Sequence, residues 1–163
     1  IYLIGKTKAE LGASEYFEML GIKEGIVPTV DNPEKTFAMY KKLAEVLNKG
    51  LLDSAHDLSD GGLAVALSEA AFSGNTGASI DVSVLGAELT AEEKLFSESP
   101  SRILVSVDSA NEKAFLETIG QENAVLLGET NDSDFVEIKD AEGVLVRETL
   151  ADLKDGWKTA LDF

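Results

Sequence analysis

Apolar residues first cluster at Ile1-Tyr2-Leu3-Ile4, an unbroken run that predicts a buried strand at the start of the chain. Ser14 then stands before Tyr16, Phe17, Met19 and Leu20, a short helix that Ser14 caps and Gly21 ends. After a loop through Pro28, Asn32 is the N-cap and Pro33 the first residue of a longer helix. Phe37, Tyr40, Leu43, Ala44 and Leu47 recur there at helical spacing until Gly50, and are its predicted core face. Leu51 to Ala55 reads as a strand, and a third helix carries Leu63, Ala66, Leu67, Ala70 and Ala71 up to Gly74.

Downstream, Ser79 to Val84 and Arg102 to Val107 read as strands, and Asn111 to Ile119 after them as a helix. Val125-Leu126-Leu127, Phe135 to Ile138 and Val144-Leu145-Val146 predict a hairpin meander, with turns at Asn131-Asp132 and Glu142-Gly143. Thr149 caps a closing helix with Leu150, Leu153, Trp157 and Leu161 on one side. Hairpins mixed with helical crossovers predict an α+β fold, a mixed β-sheet with helices packed on one face. The 163 residues suit a single domain, and an opening strand that starts on Ile suggests a fragment of a longer chain.

Charge narrows the function. Thirty acidic residues against fourteen basic ones leave a net charge of -16, which repels nucleic acid and anionic membranes. The absence of cysteine removes disulfides and thiolate metal sites, and a single histidine leaves little for zinc. No apolar stretch approaches the roughly 18 residues of a membrane span, so a soluble, cytoplasmic protein is expected. A Ser-His-Asp arrangement, a Walker phosphate loop and a dinucleotide fingerprint are all missing, which argues against a self-contained hydrolase, P-loop kinase or Rossmann dehydrogenase.

Three segments carry candidate chemistry. In Ser54 to Leu63, a strand end meets a helix start through His56, Asp57, Ser59, Asp60, Gly61 and Gly62. The glycines admit a ligand close to the backbone, the helix N-terminus attracts anions, and Asp57 with Asp60 offers oxygens for magnesium. Equally, Asp60 is a plain N-cap, whose replacement by Ala would cost about 1 kcal/mol, and the glycines serve a tight turn. The second segment, Leu95 to Arg102, places Ser97, Glu98, Ser99 and Ser101 just before a strand. Its hydroxyls suit phosphate or ribose oxygens, Glu98 suits a sugar hydroxyl or an N–H, and Arg102 suits a phosphate unless it pairs with Glu98. The third, Leu11 to Tyr16, holds Ser14, which helix capping explains adequately.

Together, Leu11-Gly12-Ala13-Ser14-Glu15-Tyr16, Ser54 to Leu63 and Leu95-Phe96-Ser97-Glu98-Ser99-Pro100-Ser101-Arg102 resemble the C-terminal domain of the aminoimidazole ribonucleotide synthetase superfamily. Within it the wording is most similar to the phosphoribosylformylglycinamidine synthases, over nearly the whole chain. That resemblance implies a domain of an ATP-dependent ligase that turns formylglycinamide ribonucleotide and glutamine into the amidine. It also implies ATP and magnesium in the full enzyme, held mostly by an N-terminal companion domain, and a glutaminase partner, with nothing bound to the isolated domain. Glu98 and Ser99 match the family's substrate loop, with Arg102 alongside, and Pro100 stands where glutamine usually follows. Ser14, His56, Asp57, Ser59, Asp60, Gly61 and Gly62 fall on motifs that line the cleft. The alternative is a non-catalytic, structural or auxiliary nucleotide-binding domain of that enzyme.

Overall fold

In a computed structural model, which describes residues 1–159, the eight strands divide between two four-stranded sheets. The first contains β1 (Tyr2–Ile4), β2 (Ser54–Asp57), β4 (Ile103–Ser106) and β5 (Ala124–Leu126), in the order β2-β4-β1-β5 and antiparallel throughout. The second contains β3 (Gly77–Asp81), β6 (Gly128–Asn131), β7 (Phe135–Asp140) and β8 (Gly143–Thr149), in the order β6-β3-β7-β8, with β3 and β7 parallel. The α+β class and a mixed sheet are therefore as expected. The meander is not: only β7 and β8 form a hairpin, β5 belongs to the other sheet, and β3 lies between β6 and β7. The chain crosses between sheets at buried Leu127, whose N–H bonds Ile1 O and whose carbonyl accepts from Asp81 N.

The described residues form six α-helices, five of them expected from the sequence and one, at Ala91–Phe96, set by an unremarked capping box at Thr90 and Glu93. They are α1 (Glu15–Met19), α2 (Pro33–Asn48), α3 (Gly62–Gly74), α4 (Ala91–Phe96), α5 (Glu112–Ile119) and α6 (Leu150–Thr159). Alternation in β1 sends Tyr2 and Ile4 to one side, where they pack with Met39, Leu43 and Val46 of α2 and Phe115 and Ile119 of α5. Leu3 faces the opposite way and joins Leu63, Ala66 and Leu67 of α3 and Ala78, Ile80, Val136 and Ile138 of the second sheet. Each fully buried large aliphatic or aromatic side chain here contributes about 1.5–3 kcal/mol.

The caps of α2 are as expected: Asn32 accepts from Lys35 N and Pro33 opens the helix. Its buried face is not. Of the predicted face only Leu43 is buried, together with Met39 and Val46, whereas Phe37, Tyr40, Ala44 and Leu47 face solvent. Both stripes have helical spacing, and docking on β1 selected the one that meets Tyr2 and Ile4. The Thr149 cap holds, with Asp152 N donating to its hydroxyl, and the expected Leu161 contact lies outside the described residues.

Candidate functional site

The polar residues that follow β1 begin the site. Ser14 is fully buried, donates to Leu11 O (2.7 Å) and accepts from Phe17 N (3.2 Å), so it is the cap of α1. After β2, Leu58 N bonds Arg102 O, and the chain turns through Ser59 to Gly62, where Gly62 N bonds Ser59 O. Gly61 and Gly62 have φ of +75° and +64°, a left-handed conformation that favours glycine. A β-carbon at Gly62 would lie 2.5 Å from Ser97 O, so the third segment can approach only a glycine here.

That third segment leaves α4 at Phe96 and runs through the loop of residues 97–102 into β4. Ser97 Oγ accepts from Glu10 N (3.3 Å), and Ser99 Oγ accepts from Lys8 N (3.1 Å). Between them, Glu98 Oε1 accepts from Glu15 N at 3.0 Å and from Gly61 N at 2.9 Å. One carboxylate oxygen thus joins the α1 entrance to the α3 entrance, and among the described residues Oε2 remains open. Beside it, Tyr16 stacks on Phe96 with ring centroids 4.5 Å apart and planes 7° from parallel.

Arg102 departs from its expected role. It is 1% exposed and donates through Nε to Ser99 O (2.9 Å), through one terminal nitrogen to Thr7 Oγ1 (3.3 Å) and through the other to Ser97 O. Burial pushes the guanidinium down to about 10, against the raising influence of Glu10 and Glu98, so it stays charged at neutral pH. Arg102 therefore holds the loop from beneath instead of presenting a fork to a phosphate, and no ion pair joins it to Glu98 among the described residues.

The cap assigned to Asp60 is also corrected. Gly61 is the N-cap of α3, no side chain caps the helix, and Asp60 is solvent-exposed. The amide nearest the turn is taken by Glu98, so the cost expected for Asp60→Ala disappears. Asp57 accepts from Ser59 Oγ at 2.5 Å, and this hydrogen bond, with a backbone bond, holds its carboxyl below the usual range. No three carboxylates or imidazoles gather into a metal cage among the described residues. His56 is joined to Glu69 of α3 (3.4 Å), whose other oxygen accepts from Trp157 Nε1 (2.8 Å), and not to the Glu98 loop.

Lys8 and Glu10 belong to this site although the sequence analysis passed over them. Glu10, only 3% exposed, pairs with Lys8 at 2.7 Å and accepts from Thr29 N and Thr29 Oγ1, both at 3.0 Å. Burial opposes its ionisation, but the bonds from Lys8 and Thr29 outweigh it and hold the carboxyl below its usual range. The available signal was a polar run, Thr7-Lys8-Ala9-Glu10, between a strand and buried Leu11.

Three comparisons show which known proteins the chain resembles in sequence and fold. The profile of the family described as "AIR synthase related protein, C-terminal domain" matches residues 1–140. Among full-length relatives, "Phosphoribosylformylglycinamidine synthase subunit PurL" of Lactobacillus helveticus is 38% identical over 99% of this chain. The chain spans 21% of that relative's length. Among solved structures, Thermotoga maritima PurL complexed with FGAR superposes with a TM-score of 0.78 at 21% identity, covering 93% of this chain and 27% of that one. The same T. maritima protein complexed with ATP gives a TM-score of 0.70 at 21% identity, over 93% and 24% of the respective chains.

Proposed function

The chain belongs to the family of AIR synthase related protein C-terminal domains, and from that premise we propose that it is one domain of a cytoplasmic phosphoribosylformylglycinamidine synthase. In this reading the enzyme transfers the γ-phosphoryl group of ATP to the amide oxygen of formylglycinamide ribonucleotide, and ammonia released from glutamine then displaces phosphate to leave the amidine. Phosphorylation converts a poor leaving oxygen into a good one. A companion domain supplies most contacts to ATP and magnesium, a glutaminase supplies the ammonia, and this domain supplies one wall of the substrate cleft.

The observation that carries the proposal is the convergence of three separate segments on Glu98. Its Oε1 is fixed by two backbone N–H groups, and Oε2 is left to accept an N–H or hydroxyl from a ligand. Ser97, Ser99 and Arg102 set the loop's shape from inside, so of the serine-glutamate-serine run and its arginine Glu98 is the one positioned for direct contact. Gly61 and Gly62 lie against the same loop, and Asp57 and Asp60 are the carboxylates of the adjoining turn that would offer oxygens to a phosphate-bound magnesium, whose charge would offset that of the transferred phosphoryl group.

The test is Glu98→Gln and Glu98→Ala in the full-length enzyme, with titration of formylglycinamide ribonucleotide and steady-state turnover. Glu98→Ala is expected to weaken substrate binding at least about tenfold, the loss of about 1.4 kcal/mol, in line with one hydrogen bond to a charged group. Unchanged affinity and full turnover in both variants would leave the domain a structural part of the enzyme.

A further inference from the structure

A second concavity of about 470 Å³, open to solvent, is lined in part by Pro100 and Ser101 of the loop of residues 97–102. Its floor is where β1 ends against the loop: Gly5 has φ +92°, a β-carbon there would lie 2.4 Å from Ser101 O, and Ser101 itself has φ +65°. Lys6, Lys8 and Lys35 line it, with Asp31 and Glu122. Three lysines around one concavity stand out in a chain of net charge -16.

Pairing decides what charge the pocket presents. Asp31 is held by Lys8 at 3.2 Å, Lys8 also meets Glu10 at 2.7 Å, and Glu122 is held by Lys42 at 3.1 Å. Lys6 and Lys35 form no ion pair among the described residues. Lys8 cannot neutralise both Glu10 and Asp31, so the group as a whole carries one net positive charge, and its unpaired ammonium groups are those of Lys6 and Lys35, with the Thr36 and Ser101 hydroxyls as further donors. The size is within the range of about 300–1,000 Å³ usual for small-molecule sites. We propose that this pocket binds the phosphate group of a small phosphorylated metabolite. A phosphate ester carries about -1.5 to -2 charges at neutral pH and would be met by the two unpaired ammonium groups of Lys6 and Lys35. The repulsive field of the whole protein makes this local reversal necessary for an anion to be held at all. The site is distinct from Glu98 Oε2 and does not depend on the reaction proposed above.

The test uses the 163-residue chain, titrated separately with inorganic phosphate, ribose 5-phosphate and ADP while backbone amide resonances are followed by NMR. Saturable shifts at Gly5, Lys35 and Ser101 are expected, with affinity reduced at least tenfold in the double variant Lys6→Ala/Lys35→Ala. Removing two exposed lysines elsewhere, Lys113→Ala/Lys154→Ala, should leave affinity unchanged. Saturation by ribose 5-phosphate identifies a sugar monophosphate as the source of the phosphate group, and saturation by ADP alone identifies a nucleotide. Absence of saturable shifts with all three probes, or equal weakening in the two double variants, overturns the proposal. Because no turnover is measured, its failure is distinguishable from failure of the ligase reading.

Discussion

Residues 97–102 and residues 19–30 invert the usual relation between polarity and burial, in opposite directions. In the first, Ser97, Ser99 and Arg102 are at most 1% exposed. In the second, Met19, Ile26 and Val27 are 75%, 65% and 53% exposed, with Leu20, Ile22 and Val30 also at the surface. The polar loop is buried because its groups find partners inside: both hydroxyls accept backbone N–H groups, and the guanidinium is met by two carbonyls and a threonine. The apolar segment is pinned by its backbone, through Gly12 N to Ile26 O and Thr29 N to Glu10 Oε1, while its side chains point outward. Hydrogen bonds thus decide the placement of both regions. One is complete within the chain, and the other presents an apolar surface of the kind that contacts between domains use.

The largest effect expected from this contrast is at Arg102. Arg102→Met keeps most of the volume but strands the carbonyls of Ser97 and Ser99 without a donor, and should reduce stability by about 3–5 kcal/mol in urea unfolding. A loss below about 1 kcal/mol would show that the loop holds its shape without the guanidinium. Gly62→Ala comes next, at about 2–4 kcal/mol, because it combines left-handed strain with a clash against Ser97 O. Thermal unfolding close to that of the parent would mean that the loop and α3 separate easily. The smallest effect belongs to the apolar segment: Ile26→Ser should change stability by less than about 0.5 kcal/mol, as exposed positions do. A loss above about 2 kcal/mol would show that Ile26 packs on the body of the domain.

Much of the site was legible because its signals are local. Ser14 as a cap, the glycine pair before a helix and the serine-glutamate-serine loop were all readable within a few residues of themselves. What joins them was not, because the tie is made across the chain. Glu98 reaches Glu15 over 83 positions and Gly61 over 37, and Arg102 reaches Thr7 over 95. The misassigned Asp60 cap shows the same limit: the N-cap position falls on Gly61, whose N–H is met by a carboxylate from another segment. Lys8 and Glu10 were missed because a short polar run after a strand looks like a solvated turn until Thr29 is brought against it.

The sequence by itself determined the α+β class, the positions of the main helices and the N-caps at Ser14, Asn32 and Thr149, since these depend on periodicity and on bonds within a turn. Only the tertiary structure decided which stripe of α2 is buried, how the strands divide between two sheets, and that Arg102 faces inward. Those outcomes depend on competition between surfaces of similar hydropathy and on partners tens of residues away. A residue's own neighbourhood in the chain carries no record of either.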